Sequence, residues 1–326
     1  MEQGESMKMG MSMRMKKILK ILLWTIGIIA VAIVLFLAIV FIVNKFSSKS
    51  EQGKLQHYGQ LVPVDGKHMN VLIKGEGKET IVLLPGYGTA APAIDFEPLI
   101  EELSPFYKVV AVEPFGYGLS DVTDKERSTE NIVSEIHEAL QSLHIDKYIL
   151  MGHSIAGIYG LDYVNKYGDE VTAFAGIDSS VPTQGGMDAE FPIQTYKLLK
   201  KSGFARLIMK LSADPYDGLP FDDAAKEQMR ILTLKNMFNS SLLNEMEHFQ
   251  ANFKAAEPLS FPPQLPVILF VQANNTDVRG WLSLHEGQIQ HSVHGKVVAL
   301  EGEHYLHHTL SKEITQNLRE FLEDSK

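Results

Sequence analysis

Residues 148–157 read YILMGHSIAG, and this stretch decides the fold of the chain. The apolar run at its start predicts a buried strand, and the residues after it predict a helix. Ser154 therefore lies on a tight turn between strand and helix, where the backbone is strained and the hydroxyl is exposed. Such a turn requires small residues two positions before and two after the serine, and Gly152 and Ala156 meet that requirement. The pattern predicts a nucleophilic serine at residue 154.

Apolar runs and amphipathic stretches alternate from residue 57 onward. Continuous apolar runs are typical of strands that are buried on both faces of a parallel sheet, and Asp65-Gly66 predicts a hairpin between the first two. Between later runs, apolar residues recur at helical spacing over 94–104 and 130–144. This alternation of strand and helix favours an α/β fold with right-handed crossovers. The predicted strands are 57–64, 68–75, 80–86, 107–113, 148–152, 171–177, 266–273 and 296–302.

A helical insertion interrupts this alternation at about 183–262. The segment has no convincing strand, and helical patterns cover 193–211, 222–238 and 240–255. We expect it to form a cap over the sheet. Its apolar side chains either line a pocket or pack the cap onto the sheet, and the pattern favours packing for most of them.

The segment 21–43, ILLWTIGIIAVAIVLFLAIVFIV, predicts one transmembrane helix. Its 23 uncharged residues would reach about 34 Å, enough to cross a hydrocarbon core about 30 Å thick. The run is too long for a cleaved signal peptide, so we expect a retained signal anchor in the cell membrane. Five basic residues in the leader 1–20, against three in the polar tether 44–56, predict a cytoplasmic N-terminus and an extracytoplasmic domain over 57–326.

Composition excludes several classes of protein. The 326 residues are 45% hydrophobic and 21% charged, which is typical of a globular chain. The absence of cysteine excludes disulfides, thiolate nucleophiles and cysteine-ligated metal sites. From residue 46 onward there are 24 Lys+Arg and 38 Asp+Glu. This charge argues against nucleic acid as a partner, and predicts that the domain is not drawn onto an anionic bilayer.

The serine turn and two further motifs resemble those of the α/β-hydrolase superfamily. PGYGT at 85–89 follows the third predicted strand, where the family has its oxyanion loop, with Pro85 in place of a common histidine. EPFGYGLS at 113–120 follows the fourth strand, where the family carries an Asp-x-x-Gly-x-Gly-x-Ser turn, with Glu113 in place of the aspartate. The resemblance covers essentially all of 57–326. It implies a mostly parallel eight-stranded sheet with helices on both faces and a helical cap.

The resemblance also implies which backbone groups would stabilise an oxyanion. These are the N–H of Ile155, directly after the nucleophile, and the N–H of Tyr87 in the PGYG loop, with Gly88 as the alternative donor. The glycines in that loop fit this role because a missing Cβ lets the backbone approach a ligand.

In the family, the base is a histidine in the loop after the last strand. In EGEHYLHH at 301–308, His304 lies nearest the strand end and matches best. His307 and His308 are expected at the start of the next helix, on the surface or facing the cap. The three histidines are not expected to bind a metal, because no carboxylate cluster at ligand spacing accompanies them. His153, beside the serine, is expected to pack against its surroundings.

The acid of the triad has two candidates. Asp277, in NNTD at 274–277, follows the seventh strand and is the favoured candidate, although it lies about one residue later than the common spacing. Asp178, in GIDSS after the sixth strand, is the alternative, since some members of the superfamily carry their acid there. Without a catalytic role, Asp178 would be a loop residue that caps the turn into the insertion.

The expected function is hydrolysis of a carboxylic ester through an acyl-enzyme, without a cofactor. The expected substrate is a small acyl-bearing molecule, and the apolar content of the cap permits it to be hydrophobic. Fold and triad do not fix the substrate, so an aminopeptidase, thioesterase, acyltransferase or carbon–carbon bond hydrolase stays open. A non-catalytic binding protein of the same fold is the alternative from another class.

Overall fold

The computed structural model of the chain describes residues 2–325, with side-chain environments from Met13 onward. Among these residues, the strands are β1 (Gln60–Val64), β2 (Lys67–Lys74), β3 (Thr80–Leu84), β4 (Lys108–Glu113), β5 (Tyr148–His153), β6 (Val171–Ile177), β7 (Val267–Gln272) and β8 (Gly295–Leu300). The helices are α1 (Glu2–Gln52), α2 (Pro92–Asp95), α3 (Glu97–Leu103), α4 (Thr129–Ser142), α5 (Ala156–Lys166), α6 (Ile193–Ser202), α7 (Phe204–Leu211), α8 (Asp223–Asn236), α9 (Ser240–Ala256), α10 (Trp281–Ile289), α11 (Leu306–Thr309) and α12 (Ser311–Asp324).

The strands form one eight-stranded sheet in the order β1-β2-β4-β3-β5-β6-β7-β8. β1 and β2 pair antiparallel through the predicted hairpin, in which Asp65 and Gly66 both have positive φ. β2 also pairs antiparallel with β4, and every later pair from β3 to β8 is parallel. The predicted mostly parallel sheet is confirmed, and the carboxyl ends of β3, β5, β6, β7 and β8 share one edge.

The sheet is buried on both faces, as the apolar runs predict. In β3, Val82 and Leu84 belong to one core, and Ile81 and Leu83 belong to the other. The first core includes α4, α5 and α10, and the second includes α3 and α12. Each fully buried leucine or isoleucine contributes about 1.5–3 kcal/mol relative to an exposed one, so the two cores hold the sheet edge rigid.

Helices α6–α9 lie between β6 and β7, where the insertion is predicted. The single helix expected over 193–211 is divided at Gly203, whose φ of +91° ends α6 and begins α7. Asp222 and Asn239 accept hydrogen bonds from N–H groups in the first turns of α8 and α9, which fixes where those helices start. We call residues 183–262 the cap.

Helix α1 is one continuous helix as far as Gln52. Within the part of the chain that the structure describes, it is the one helix long and apolar enough to cross a membrane, over Met13–Gln52. The tether expected at 44–56 is therefore largely helical, and Arg206 of α7 binds three of its side chains. The polar residues of the predicted tether form the last turns of α1. Side chains of residues 1–12, within the predicted basic leader, lie outside the described residues.

Candidate active site

Ser154 lies on the turn between β5 and α5 with a φ of +54°, a left-handed conformation that is unusual for a serine. Its N–H donates to Ile177 O at 3.2 Å, and its carbonyl accepts from Ser180 N at 2.7 Å, so the end of β6 supports the turn. A Cβ on Gly152 would lie 3.0 Å from the Cβ of Ala156. The small residues that the motif predicts are needed by this close approach.

The loop after β3 lies directly against the serine. A Cβ on Gly86 would lie 2.7 Å from His153 Nδ1 and 3.0 Å from the Cβ of Ser154, so only glycine lets this backbone approach so closely. The Tyr87 hydroxyl donates to Leu242 O at 2.9 Å, which ties the loop to the cap. Backbone of the predicted oxyanion loop is thus adjacent to Ser154.

The start of α5 supplies the other N–H groups beside the serine. Ile155 precedes the helix and Ala156 is its first residue, and the N–H groups at this position have no carbonyl within the helix to bond. The positive end of the helix dipole lies here as well. Both features favour a negatively charged oxygen beside Ser154.

His304 lies in the loop after β8, and its imidazole binds the carboxylate of Asp178. The distance from His304 Nδ1 to Asp178 Oδ2 is 2.6 Å. The other oxygen of Asp178, Oδ1, accepts from Gln272 N at 2.9 Å and from Trp281 Nε1 at 2.7 Å. Asp178 is completely buried and has a φ of +41°. Three donors therefore satisfy a buried carboxylate that faces the imidazole.

The prediction that Asp277 contacts His304 is wrong. Asp277 lies on the exposed rim of the loop after β7, where its N–H donates to Asn275 Oδ1 at 3.0 Å. The same asparagine oxygen accepts from Val278 N at 2.9 Å, so the loop folds around Asn275. The alternative candidate, Asp178, occupies the position beside the histidine. Its strand end and positive φ direct the carboxylate under the His304 loop.

Ser154 and His304 line the same cavity, which has a volume of about 320 Å³ between the sheet edge and the cap. Asp277 and Asn275 are polar residues that also line it. The apolar part of the wall comes from both the cap and the loop after β7: Met187, Phe191, Phe249, Phe253, Val278 and Trp281. An apolar cavity with a few polar groups at one end fits an acyl-bearing molecule.

His153 is buried beneath the loop that carries His304. Its Nε2 lies 3.2 Å from His304 O, and the two rings are 4.7 Å apart. Burial, together with the nearby His307 and His304, holds the pKa of His153 well below its usual range, so the ring is neutral. This buried position agrees with the expectation that His153 packs against its surroundings.

His307 and His308 are buried, so the expectation that they lie on the surface is wrong, but His308 does face the cap, with its ring 5.2 Å from that of Phe221. His307 Nε2 is 2.8 Å from Asp95 Oδ2, and His308 Nε2 is 2.9 Å from Asp95 Oδ1. Burial lowers the pKa of His307. Burial also acts to raise the pKa of Asp95, but the bonds from both histidines outweigh it, and the net shift is downward. An ionised Asp95 thus accepts from two imidazoles and fixes α11 against α2.

These three side chains are also the group that could hold a metal, because their ligand atoms lie within 4.8 Å of one another. The fold supplies the carboxylate that the sequence does not show next to the histidines. In the structure, each carboxylate oxygen faces one imidazole nitrogen at hydrogen-bond distance. The hydrogen bonds account for the arrangement of all three groups.

Glu113 at the end of β4 shows why this chain tolerates a departure from the family's aspartate. Its buried carboxylate accepts from the Tyr58 hydroxyl at 2.9 Å, Asn70 Nδ2 at 3.0 Å and Leu119 N at 2.7 Å. Burial raises the pKa of Glu113, and these bonds oppose that rise. The longer side chain fills the space above Gly118, where a Cβ would lie 1.9 Å from Glu113 Oε2.

Comparisons with known proteins agree with this architecture. A model for the alpha/beta hydrolase fold family matches residues 79–217. The uncharacterized protein YbdG of Bacillus subtilis (strain 168) is 31% identical over 264 residues, covering 78% of this chain and 81% of that protein. The 2-hydroxy-6-oxo-6-(2'-aminophenyl)hexa-2,4-dienoic acid hydrolase of Metapseudomonas resinovorans is 24% identical, over 56% of this chain and 61% of its own length.

One solved structure matches more of the chain than the sheet and cap. It is a bacterial membrane phospholipase A, similar with a TM-score of 0.61 at 17% identity, over 94% of this chain and 98% of that one. Residues 57–326 alone make up less than 94% of the chain. The match therefore extends to residues before 57, which include part of α1.

Proposed function

The chain belongs to the α/β-hydrolase family, and from that premise we propose that it is a membrane-anchored serine hydrolase that cleaves a carboxylic ester through Ser154, His304 and Asp178. The observation that carries the proposal is the 2.6 Å contact between His304 Nδ1 and Asp178 Oδ2, made by an imidazole that lines the same cavity as Ser154. A serine hydroxyl needs such an oriented base before it can act as a nucleophile.

The Asp178 carboxylate determines which nitrogen of His304 is free. It can only accept, so the proton of the neutral imidazole is assigned to Nδ1, and Nε2 keeps its lone pair. His304 Nε2 takes the proton of Ser154 as the serine oxygen attacks the acyl carbon. Asp178 stabilises the imidazolium that forms and stays ionised itself.

Negative charge then develops on the acyl oxygen. In this proposal the N–H groups of Ile155 and Tyr87 receive it, with Gly88 as the alternative donor in the same loop. Removing one donor of this kind typically costs a factor of about 10²–10³ in kcat. The imidazolium gives its proton to the departing alcohol, and water repeats the sequence on the acyl-enzyme to release the acid and restore Ser154. Side-chain and backbone groups suffice for these steps.

The proposal places the protein in the cell membrane through residues 21–43, with the N-terminus in the cytoplasm. The five basic residues in 1–20 support this orientation. Protease added to intact cells should remove the domain 57–326, and a domain that is cut only after lysis would reverse the orientation.

Labelling with a fluorophosphonate probe tests the chemistry. The probe needs an activated serine and an oxyanion site but not the natural substrate. The detergent-solubilised full chain should be labelled, and Ser154→Ala and His304→Ala should abolish labelling. Ser180→Ala is the matched control, because Ser180 lines the same cavity and should not be needed.

The alternatives give different results. Labelling without ester turnover would direct the search to thioesters, peptides or acyl transfer on the same Ser154. A folded protein that is not labelled would contradict the proposal and favour a binding protein of the same fold.

A further inference from the structure

The cap is fixed to the last turns of α1. Arg206 of α7 is 8% exposed and binds Asn44 Oδ1 at 2.9 Å, Ser48 Oγ at 2.9 Å and Glu51 Oε1 at 2.6 Å. A Cβ on Gly203 would lie 2.6 Å from the Cβ of Asn44, so the two helices approach closely there. A buried guanidinium with three partners holds the position of α7 relative to α1.

This contact continues into the apolar part of α1. Val40 is buried, and the rings of Phe36 and Phe204 are 6.0 Å apart in an edge-to-face arrangement. Phe36 lies seven residues before Val43, the last residue of the uncharged run, which is about 10 Å along the helix axis. If the hydrocarbon core instead begins at Ile21 and ends about 20 residues later, Phe36 is still about 7 Å inside it. A membrane that α1 spans must therefore reach the start of α7.

The face of α7 that contacts Phe36 continues as an exposed apolar surface. Phe204, Ile208 and Leu211 are four and three residues apart, so they lie on one side of the helix. Ile208 is 52% exposed and Leu211 is 79% exposed, and Leu198 of α6 is 66% exposed. We call Leu198, Ile208 and Leu211 the apolar face. Exposed apolar side chains grouped beside a membrane span are typical of an interfacial segment.

The charge of this segment differs from that of the domain. Residues 191–213 contain five basic residues and no acidic one, although residues from 46 onward are acidic overall. Lys197, Lys201 and Lys210 are exposed. Cations beside an apolar helix face favour anionic headgroups, by about 1 kcal/mol each near the surface. The net charge from which we expect no attraction to an anionic bilayer is that of the whole domain, and this segment has the opposite sign.

We propose that the apolar face of α6 and α7 is inserted in the headgroup and acyl boundary of the bilayer that α1 spans, and that the cavity takes its acyl substrate from that bilayer. Phe191, two residues before α6, lines the cavity beside Phe249, with the two rings 5.9 Å apart. The inserted helices are thus joined by a short segment to the cavity wall. The substrate class is an acyl ester of a membrane lipid, and this part rests on the proposed function.

Site-specific fluorescence tests the insertion, because the natural chain has no cysteine. The single-cysteine variants Ile208→Cys and Leu211→Cys would each carry an NBD label in the full chain. The matched control is Val293→Cys, a residue before β8 that is 59% exposed and lies outside the cap. Ile33→Cys reports on α1. The protein is reconstituted in phosphatidylcholine vesicles, with and without phosphatidylglycerol. Labels at 208 and 211 should shift to shorter emission wavelength and be quenched by doxyl lipids, while the label at 293 should be quenched by iodide.

Two results would overturn the insertion. One is a label at 208 and 211 that behaves like the label at 293, while the label at Ile33 is quenched by lipid. The other is protection of 208 and 211 that depends on protein concentration in detergent, which would mean that a second copy covers this face. Neither readout needs activity, so both can be measured in Ser154→Ala.

A kinetic experiment tests the link to the substrate. The double variant Ile208→Glu, Leu211→Glu should hydrolyse vesicle phospholipid at least about tenfold more slowly, because charges replace two exposed apolar side chains that the proposal inserts in the bilayer. Its hydrolysis of soluble p-nitrophenyl butyrate and its fluorophosphonate labelling should match the wild type. Val293→Glu is the control. If the double variant hydrolyses both substrates equally slowly, or both at the wild-type rate, the link between insertion and substrate is contradicted. If the wild type is not labelled by the fluorophosphonate, the result counts against the proposed function instead.

Discussion

The indole Nε1 of Trp281 donates to Asp178 Oδ1 at 2.7 Å, on the carboxylate whose other oxygen faces His304. Trp281 is the first residue of α10, so the start of this helix positions the acid that orients the base. The arrangement joins three chain segments that follow β6, β7 and β8. At this buried position, hydrogen-bond donors replace the water that the Asp178 carboxylate has lost.

Trp281→Phe should lower kcat/KM for ester hydrolysis by about 10- to 100-fold, because a buried carboxylate loses a donor worth about 1.5–3 kcal/mol. Phenylalanine keeps an aromatic ring at this buried position but lacks the indole N–H, and its smaller ring also loses some packing. The measurement is steady-state hydrolysis of p-nitrophenyl butyrate by the full chain in detergent. Trp24→Phe replaces the other tryptophan, within α1, and should have wild-type kinetics. Equal activity of the two variants would show that Trp281 does not support Asp178.

Gly118→Ala should strongly destabilise the fold. The residue has a φ of +48°, and a Cβ would lie 1.9 Å from Glu113 Oε2. Gly66→Ala is a matched control, since Gly66 has a φ of +72° but nothing within 4 Å of the added Cβ. Backbone strain alone should cost the control about 1–2 kcal/mol, and displacement of the buried carboxylate should raise the loss at Gly118 to about 3 kcal/mol or more. Urea unfolding measures both, and equal losses would mean that Glu113 moves aside freely.

The free energy of unfolding should fall on acidification from about pH 7 to pH 5. Burial lowers the pKa of His153 and of His307, so each stays neutral in the folded chain and takes up a proton on unfolding. This stability is fully present above the unfolded histidine pKa and is lost below it, at up to about 1.4 kcal/mol per pH unit for each group. Asp95, whose pKa is lowered, adds a further loss as the pH falls below about 4.

Urea midpoints at several pH values test this dependence in the full chain. His307→Gln removes one of the protons taken up on unfolding, so its midpoint should vary less with pH, although the variant is less stable at pH 7. His57 is an exposed histidine, and His57→Gln should keep the wild-type slope. A midpoint that is constant between pH 7 and 5 in the wild type would contradict the neutral state of the buried imidazoles.

Local patterns were sufficient to predict the sheet and the serine. The turn at Ser154 is specified by small residues within two positions of it, and the eight strands are apolar runs with clear ends. The strands and the turn are encoded by neighbours in the sequence, which a single chain shows directly. His304 was identified through the family resemblance, which implies a histidine in the loop after the last strand.

Features that depend on distant partners were not predictable in this way. Asp277 and Asp178 both follow strands of the sheet, and only the folding of the loop around Asn275 and the positive φ of Asp178 decide which one faces His304. The partner of His307 and His308 is Asp95, more than 200 residues earlier in the chain. No nearby residue marks that pairing.

The docking of α1 could have been suspected from spacing. Asn44, Ser48 and Glu51 are four and three residues apart and lie on one helix face, which Arg206 binds. Because these side chains are polar and Arg206 is not near them in the sequence, the sequence alone favours the interpretation that they form a tether. The three residues become a recognisable helix face only when Arg206 of the cap is placed against them.

We propose that Asp178 is the acid that orients His304 beside Ser154. Rates of fluorophosphonate labelling and of p-nitrophenyl butyrate hydrolysis by Asp178→Asn and Asp277→Asn test it directly, since both carboxylates follow strands of the same sheet edge. We expect Asp178→Asn to be slower by a factor of about 10³–10⁴, because the amide disfavours the tautomer with a free Nε2, and Asp277→Asn to stay within about threefold of the wild type. A large loss in Asp277→Asn with a near-normal Asp178→Asn would contradict the claim.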